Sequence, residues 1–147
     1  MVFGRRLGPL AAPIMPRAAW MAPTGAIVTW LGLGLATWAR LKLGRNWSGT
    51  VTVKQNHELI RSGPYRLTRH PIYTGLLTSL LATALAIDCW YAALAFVIVT
   101  LSFLRKMRTE EAFMQAEFGD AYTAYRREVP ALIPFLISPT TGRRGLR

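Results

Sequence analysis

The chain's two histidines and two of its five tyrosines fall in one stretch of 19 residues, interleaved with arginines. It reads His57-Glu58-Leu59-Ile60-Arg61-Ser62-Gly63-Pro64-Tyr65-Arg66-Leu67-Thr68-Arg69-His70-Pro71-Ile72-Tyr73-Thr74-Gly75. Pro71 stands near the start of an apolar helix, where its missing amide donor costs nothing. Arg69, His70 and Tyr73 then sit beside free backbone donors and the positive end of that helix. Such a place suits a polar ligand carrying a carboxylate or hydroxyls. The plainer reading is a basic collar snorkelling toward water, with tyrosines in an aromatic belt. A second cluster, Glu110-Glu111, follows Arg105, Lys106 and Arg108. Paired carboxylates of this kind are usually solvated partners of neighbouring Lys or Arg. Alternatively, one of them faces the basic stretch and binds a cation. His57 and His70 with one distant cysteine make no zinc-ligand pattern, so no metal is expected.

The elements that must position these groups follow from composition and hydropathy. A length of 147 residues fits one domain. Lys and Arg number 18 against 7 acids, a net charge of +11. Hydrophobic residues make up 52% and charged residues 17%, and the mean hydropathy is +0.25. A disordered basic tail would be poorer in apolar residues. An ordinary soluble domain carries about a quarter charged residues. The single Cys89 excludes a disulfide framework within the chain. What remains is a small all-α integral membrane protein with basic flanks.

Residues 1–23 form an irregular basic segment broken by Pro9, Pro13, Pro16 and Pro23. A basic start before an apolar run also fits a secretory signal, although the run lies late and ends in Trp38-Ala39-Arg40. Residues 24–136 are the expected membrane core and residues 137–147 a basic tail. The first helix is expected over 24–39, with Trp30 and Trp38 at interfaces and Gly25, Gly32 and Gly34 open to close helix approach. Residues 40–69 are polar and basic. Apolar runs at 72–87 and 90–104, separated by Asp88-Cys89, read as a helical hairpin. Each spans about 23 Å as helix against about 30 Å of hydrocarbon. Extension into polar flanks completes the crossing; a re-entrant hairpin is the alternative. Residues 105–127 turn amphipathic, with Gly119 stopping one helix and Asp120 opening the next. Residues 129–135 are an apolar, proline-punctuated segment suited to the membrane interface. Segments 40–70 and 105–128 carry seven and five Lys/Arg. The positive-inside rule places both in the cytoplasm and the Asp88-Cys89 turn on the opposite side. The hairpin then brings residues 71 and 105 to one membrane surface, where the two clusters can share a pocket.

Several motifs together carry a resemblance. They are Gly63-Pro64-Tyr65, Arg69-His70-Pro71-Ile72-Tyr73-Thr74-Gly75, Glu110-Glu111, Phe118-Gly119-Asp120-Ala121-Tyr122 with Tyr125, Val129-Pro130 and Ile133-Pro134. In order and spacing, across about residues 25–136, the chain resembles the isoprenylcysteine carboxyl methyltransferase family, whose wider relatives include phospholipid N-methyltransferases. The resemblance implies a multi-pass integral membrane enzyme. It would use S-adenosyl-L-methionine (SAM) in a helical C-terminal pocket facing the cytoplasm. It also implies a lipophilic acceptor, small molecule or lipidated, entering from the membrane lipid and methylated on a carboxylate, amine or thiol. By the same resemblance His57, Glu58, Leu59, Ile60, Tyr65, His70, Pro71, Ile72, Tyr73 and Glu111 are cofactor-binding. Lys106 or Arg108 is the basic residue that positions the acceptor. Family members carry more membrane helices before this core, whereas one apolar helix precedes it here. Two other readings remain beside it. One is a nicotinamide-dependent membrane lipid reductase, against which stands the lack of a G-x-G-x-x-G fingerprint. The other is a non-enzymatic small membrane subunit whose basic face meets anionic lipid or a partner. Nucleic acid is not an expected partner, because the basic residues flank membrane segments and no nucleic-acid motif accompanies them.

Overall fold

The computed structural model describes residues 8–16, 18–44 and 59–134. Three α-helices dominate: α1 (Met21–Leu43), α2 (Pro71–Ile87) and α3 (Trp90–Glu128). Short 3-10 turns occupy Gly8–Ala11 and Gly63–Arg66, and the described residues contain no strand. The all-α expectation holds. His57, Glu58 and the 137–147 tail lie outside the described residues.

α1 is wider than the expected 24–39. It starts at Met21 and takes Pro23 into its first turn, where a missing backbone donor is tolerated. It ends at Gly44, whose φ of +50° returns the Gly44 N–H to the Leu41 carbonyl. Arg40 and Lys42 in the last turn suit the negative end of the helix dipole. Its 23 residues span about 34 Å.

The hairpin forms as expected. Pro71 opens α2, and Asp88 closes it in the left-handed conformation before α3 starts at Trp90. The turn is not a solvated polar tip, however. Asp88 is 1% exposed, and its Oδ1 accepts the backbone N–H groups of Ile14 and Met15 at 3.2 and 3.0 Å. The N-terminal segment is therefore strapped across the hairpin tip. α3 does not stop where the apolar run ends. Arg105, Lys106, Met107 and Arg108 are good helix formers, so the apolar and amphipathic stretches share one helix. The expected break at Gly119 is present, at φ +50° and ψ −120°.

α1 and α2 pack backbone to backbone through small residues. A Cβ added at Gly32 would lie 2.6 Å from the Gly75 carbonyl oxygen, and one at Gly75 would lie 2.8 Å from the Ala36 nitrogen. Ser79 donates its hydroxyl to the Thr29 carbonyl at 2.9 Å, and the Thr29 and Thr83 hydroxyls meet at 3.1 Å. Small residues and hydroxyls are the usual adhesive of helices in hydrocarbon, where apolar association gives little drive. Gly25 and Gly32 face this contact, while Gly34 faces open space. Gly32→Val is accordingly expected to cost roughly 1–3 kcal/mol, and Gly34→Ala nothing measurable. Thermal unfolding of the two variants in detergent tests this, and equal midpoints would refute the close contact.

The outward surface is apolar. Trp30 is 73% and Leu31 68% exposed on α1, and Leu94, Val97, Ile98 and Leu101 are exposed along α3. A contiguous apolar surface of this kind calls for a non-aqueous neighbour. α3 is long and apolar enough to cross a membrane, and α2 is apolar but has 17 residues.

Candidate functional site

The polar residues converge at the end of the bundle opposite the Asp88 turn. The Gly63–Arg66 turn leads into it, with Gly63 at φ +63° and Pro64 in the first turn. Tyr65 is buried, and its hydroxyl donates to the Ala39 carbonyl of α1 at 3.3 Å. The Tyr125 hydroxyl donates to the Tyr65 carbonyl at 2.7 Å. Burial, aided by the neighbouring Tyr125, pushes the Tyr65 hydroxyl upward, so it remains a donor. Arg61 lies over the Tyr125 ring, 5.1 Å from its centroid, and also bonds the Ala121 carbonyl. Leu59 packs on the Tyr122–Tyr125–Val129 cluster beside Met114 and Phe118.

The segment after α3 is pinned across the start of α2. Backbone N–H groups of Arg69 and His70 donate to the carbonyls of Pro130 and Ala131 at 2.8 and 3.0 Å. The Thr74 hydroxyl reaches the Leu132 carbonyl at 2.7 Å. Residues 129–132, read from sequence as an interface segment, thus form one wall of the polar cluster.

Arg69 is its organiser. Its Nε and Nη2 both donate to Glu111 Oε1, at 2.9 and 2.6 Å. Its Nη1 donates to the carbonyls of Arg126 and Val129, at 3.0 and 2.8 Å. His70 lies between the two glutamates, with Nε2 3.2 Å from Glu111 Oε1 and Nδ1 3.8 Å from Glu110 Oε2. Tyr73 donates to Glu110 Oε1 at 2.7 Å and stacks, tilted, on Phe103 with ring centroids 5.0 Å apart. Arg126 Nε stands 3.7 Å from Glu111 Oε2. Burial alone would raise the Glu111 carboxyl. Hydrogen bonds from His70 and Arg69, with their charges, outweigh it and hold the group at about 2. Burial and the charge of Glu111 push the Tyr122 hydroxyl up to about 12, against the pull of Arg69 and Arg126.

Of the residues singled out from sequence, His70, Tyr73 and Glu111 come together in this cluster, with Pro71 buried at the helix start and Ile72 half-buried beside it. Leu59 packs on the adjoining Tyr122–Tyr125–Val129 cluster, Tyr65 is tied to Tyr125, and Ile60 is half-buried after Leu59. Lys106 and Arg108 are exposed on either side of the buried Met107. Sequence reasoning placed Arg69 at the ligand but missed it as the partner of Glu111, and missed Arg126 altogether. No local sequence signal pairs Arg69 with Glu111 or brings Arg126 to it, since the contacts join side chains distant along the chain.

The helices and this polar end define a class: an all-helical membrane protein with a charged site where the helices leave the apolar layer. The sequence profile of the isoprenylcysteine carboxyl methyltransferase family matches residues 26–116, and the chain belongs to that family. Protein-S-isoprenylcysteine O-methyltransferase of Schizosaccharomyces pombe is 35% identical over 109 residues, 72% of this chain and 46% of that protein. The cobalt-zinc-cadmium resistance protein CzcN of Cupriavidus metallidurans is 31% identical over 80% of this chain and 52% of its own length. The solved structure of the eukaryotic intramembrane Ras methyltransferase of the family superposes with a TM-score of 0.70 at 27% identity, over 81% of this chain and 44% of that one. The chain thus spans roughly half the length of these relatives.

Proposed function

We propose that the protein is a SAM-dependent integral membrane methyltransferase acting on a lipophilic acceptor. Its site opens toward the cytoplasm, by the basic flanks of the hairpin, and its helices cross the membrane more than once. The observation that carries the reading is the meeting of His70 and Tyr73 with Glu110 and Glu111 in a chain of this family. The donor set fits the cofactor. Oε1 of Glu111 is taken by Arg69 and His70. Among the described residues Oε2 has only Arg126, at 3.7 Å, so it retains acceptor capacity for an ammonium or hydroxyl. The Tyr73 and Phe103 faces are suited to a sulfonium. Bound there, SAM supplies an electrophilic methyl group. We assign its binding to Glu111, His70, Pro71, Ile72 and Tyr73, and by the family resemblance also to His57, Glu58, Leu59, Ile60 and Tyr65.

The protein's own part is to hold the two reactants in line and exclude water. Lys106 or Arg108 holds an anionic acceptor group. The names of the relatives favour a carboxylate acceptor. A carboxylate is ionised at neutral pH, so no side chain has to act as a general base. Purified protein in detergent is expected to bind SAM, and NADPH should not displace it. With labelled methyl donor it should label a prenylated-cysteine peptide or a lipid in membrane extracts. Intact protein that takes up no SAM would refute the reading, and displacement by NADPH would favour a reductase.

A further inference from the structure

A straight helix advances about 1.5 Å per residue, so side chains eight residues apart stand about 12 Å apart along it. In α3 the side chains of Gln115 and Thr123 nonetheless touch. Gln115 Nε2 donates to Thr123 Oγ1 at 2.9 Å, and Thr123 Oγ1 lies 3.2 Å from Gln115 Oε1. Both close on one backbone group. The Gly119 carbonyl accepts from Gln115 Nε2 at 2.9 Å and from the Thr123 hydroxyl, which lies 3.2 Å away. The hydroxyl carries one proton and serves one of its two acceptors at a time. Gly119 is the residue that leaves helical geometry. The two side chains therefore clasp the break in α3 from both sides.

The break separates two groups of site residues. Glu110 and Glu111 precede it; Tyr122, Tyr125 and Arg126 follow it. Arg69 bonds across the gap, to Glu111 on one side and to the Arg126 and Val129 carbonyls on the other. The angle at Gly119 sets where these groups meet, and a glycine backbone does not hold an angle by itself. We propose that Gln115 and Thr123 are positioning residues: their clasp on the Gly119 carbonyl fixes the angle of α3 and so the placement of Arg126 and the 129–132 wall against Glu111. This rests on the methyl-donor reading of that site.

Thr123→Val removes the hydroxyl at nearly constant volume, Thr123→Ser keeps it, and Gln115→Leu removes the amide. In the full-length protein, Thr123→Val and Gln115→Leu are expected to weaken SAM binding about 5- to 10-fold, with Thr123→Ser matching the parent. A second readout uses spin labels at the exposed positions Ser102 and Glu128 in a Cys89→Ser background, serine being a good residue at that helix cap. The interlabel distance should be narrow in the parent and in Thr123→Ser, and broadened or shifted in Thr123→Val and Gln115→Leu. Unchanged distances in both of those variants overturn the clasp. Altered distances with parental SAM affinity overturn its positioning role. Failure of the parent to bind SAM would remove the methyl-donor reading instead, and the distances would still decide the clasp.

Discussion

Arg69→Ala is expected to destabilise the protein by roughly 3 kcal/mol, the cost of breaking a largely buried ion pair from one side. The side chain is 10% exposed and that of its partner Glu111 18%. Four donor contacts vanish together, two to Glu111 and two to the carbonyls of Arg126 and Val129. Among the described residues Glu111 then keeps only His70 and the more distant Arg126. The Val129 carbonyl, in a part-buried setting, loses a donor and its desolvation is no longer offset, while the Arg126 carbonyl is exposed to solvent. Arg69→Lys should recover less than half of the loss. An ammonium is a point charge and cannot bridge a carboxylate and two carbonyls as a planar fork does. Denaturant titration in detergent measures both variants. A loss below about 0.5 kcal/mol, typical of exposed pairs, would show that the pair is a surface contact without a structural role.

That partnership was beyond the reach of the sequence, for a physical reason. Arg69 and Glu111 are 42 residues apart, and hydropathy specifies which helices pair but not how a side chain with five donors divides them. The backbone architecture was more legible. A Pro start, an uncharged run and a polar dipeptide are local signals, and they gave the hairpin and its turn. Gly119 was legible for the same reason, since glycine readily adopts a positive φ. Helix limits were less so. Pro23 reads as a breaker until its place in a first turn is known, and the Arg-rich start of the amphipathic stretch ends the apolar pattern without ending the helix. The burial of Asp88 was not legible, because a carboxylate at a tight turn ordinarily faces water. Here it serves the backbone of Ile14 and Met15, two N–H groups that no hydropathy pattern brings to it.

Glu111→Gln separates the two duties assigned to this carboxylate. Its ionisation is held at about 2, below the usual 4.5, so the folded state binds the proton less readily than the unfolded chain. The stabilisation is fully present above pH 4.5 and is lost as the pH falls toward 2. The displacement corresponds to roughly 3 kcal/mol. The glutamine variant should therefore lose about that much near neutral pH, and its stability should be flatter than the parent's between pH 4.5 and 2. A parental acid slope in the variant would mean that other carboxylates set it. The binding duty is read at pH 7 on folded protein alone. Glutamine keeps an oxygen acceptor but not the charge, so SAM affinity is expected to fall about 10- to 100-fold, the range for a charge-assisted hydrogen bond. Glu110→Gln is the internal comparison. Its Oε1 is committed to the Tyr73 hydroxyl and its Oε2 lies 3.8 Å from His70, so the larger loss should fall on Glu111. If Glu110→Gln abolishes binding while Glu111→Gln retains it, the cofactor's partner is the other carboxylate, and Glu111 serves only to hold Arg69, His70 and the end of α3 together.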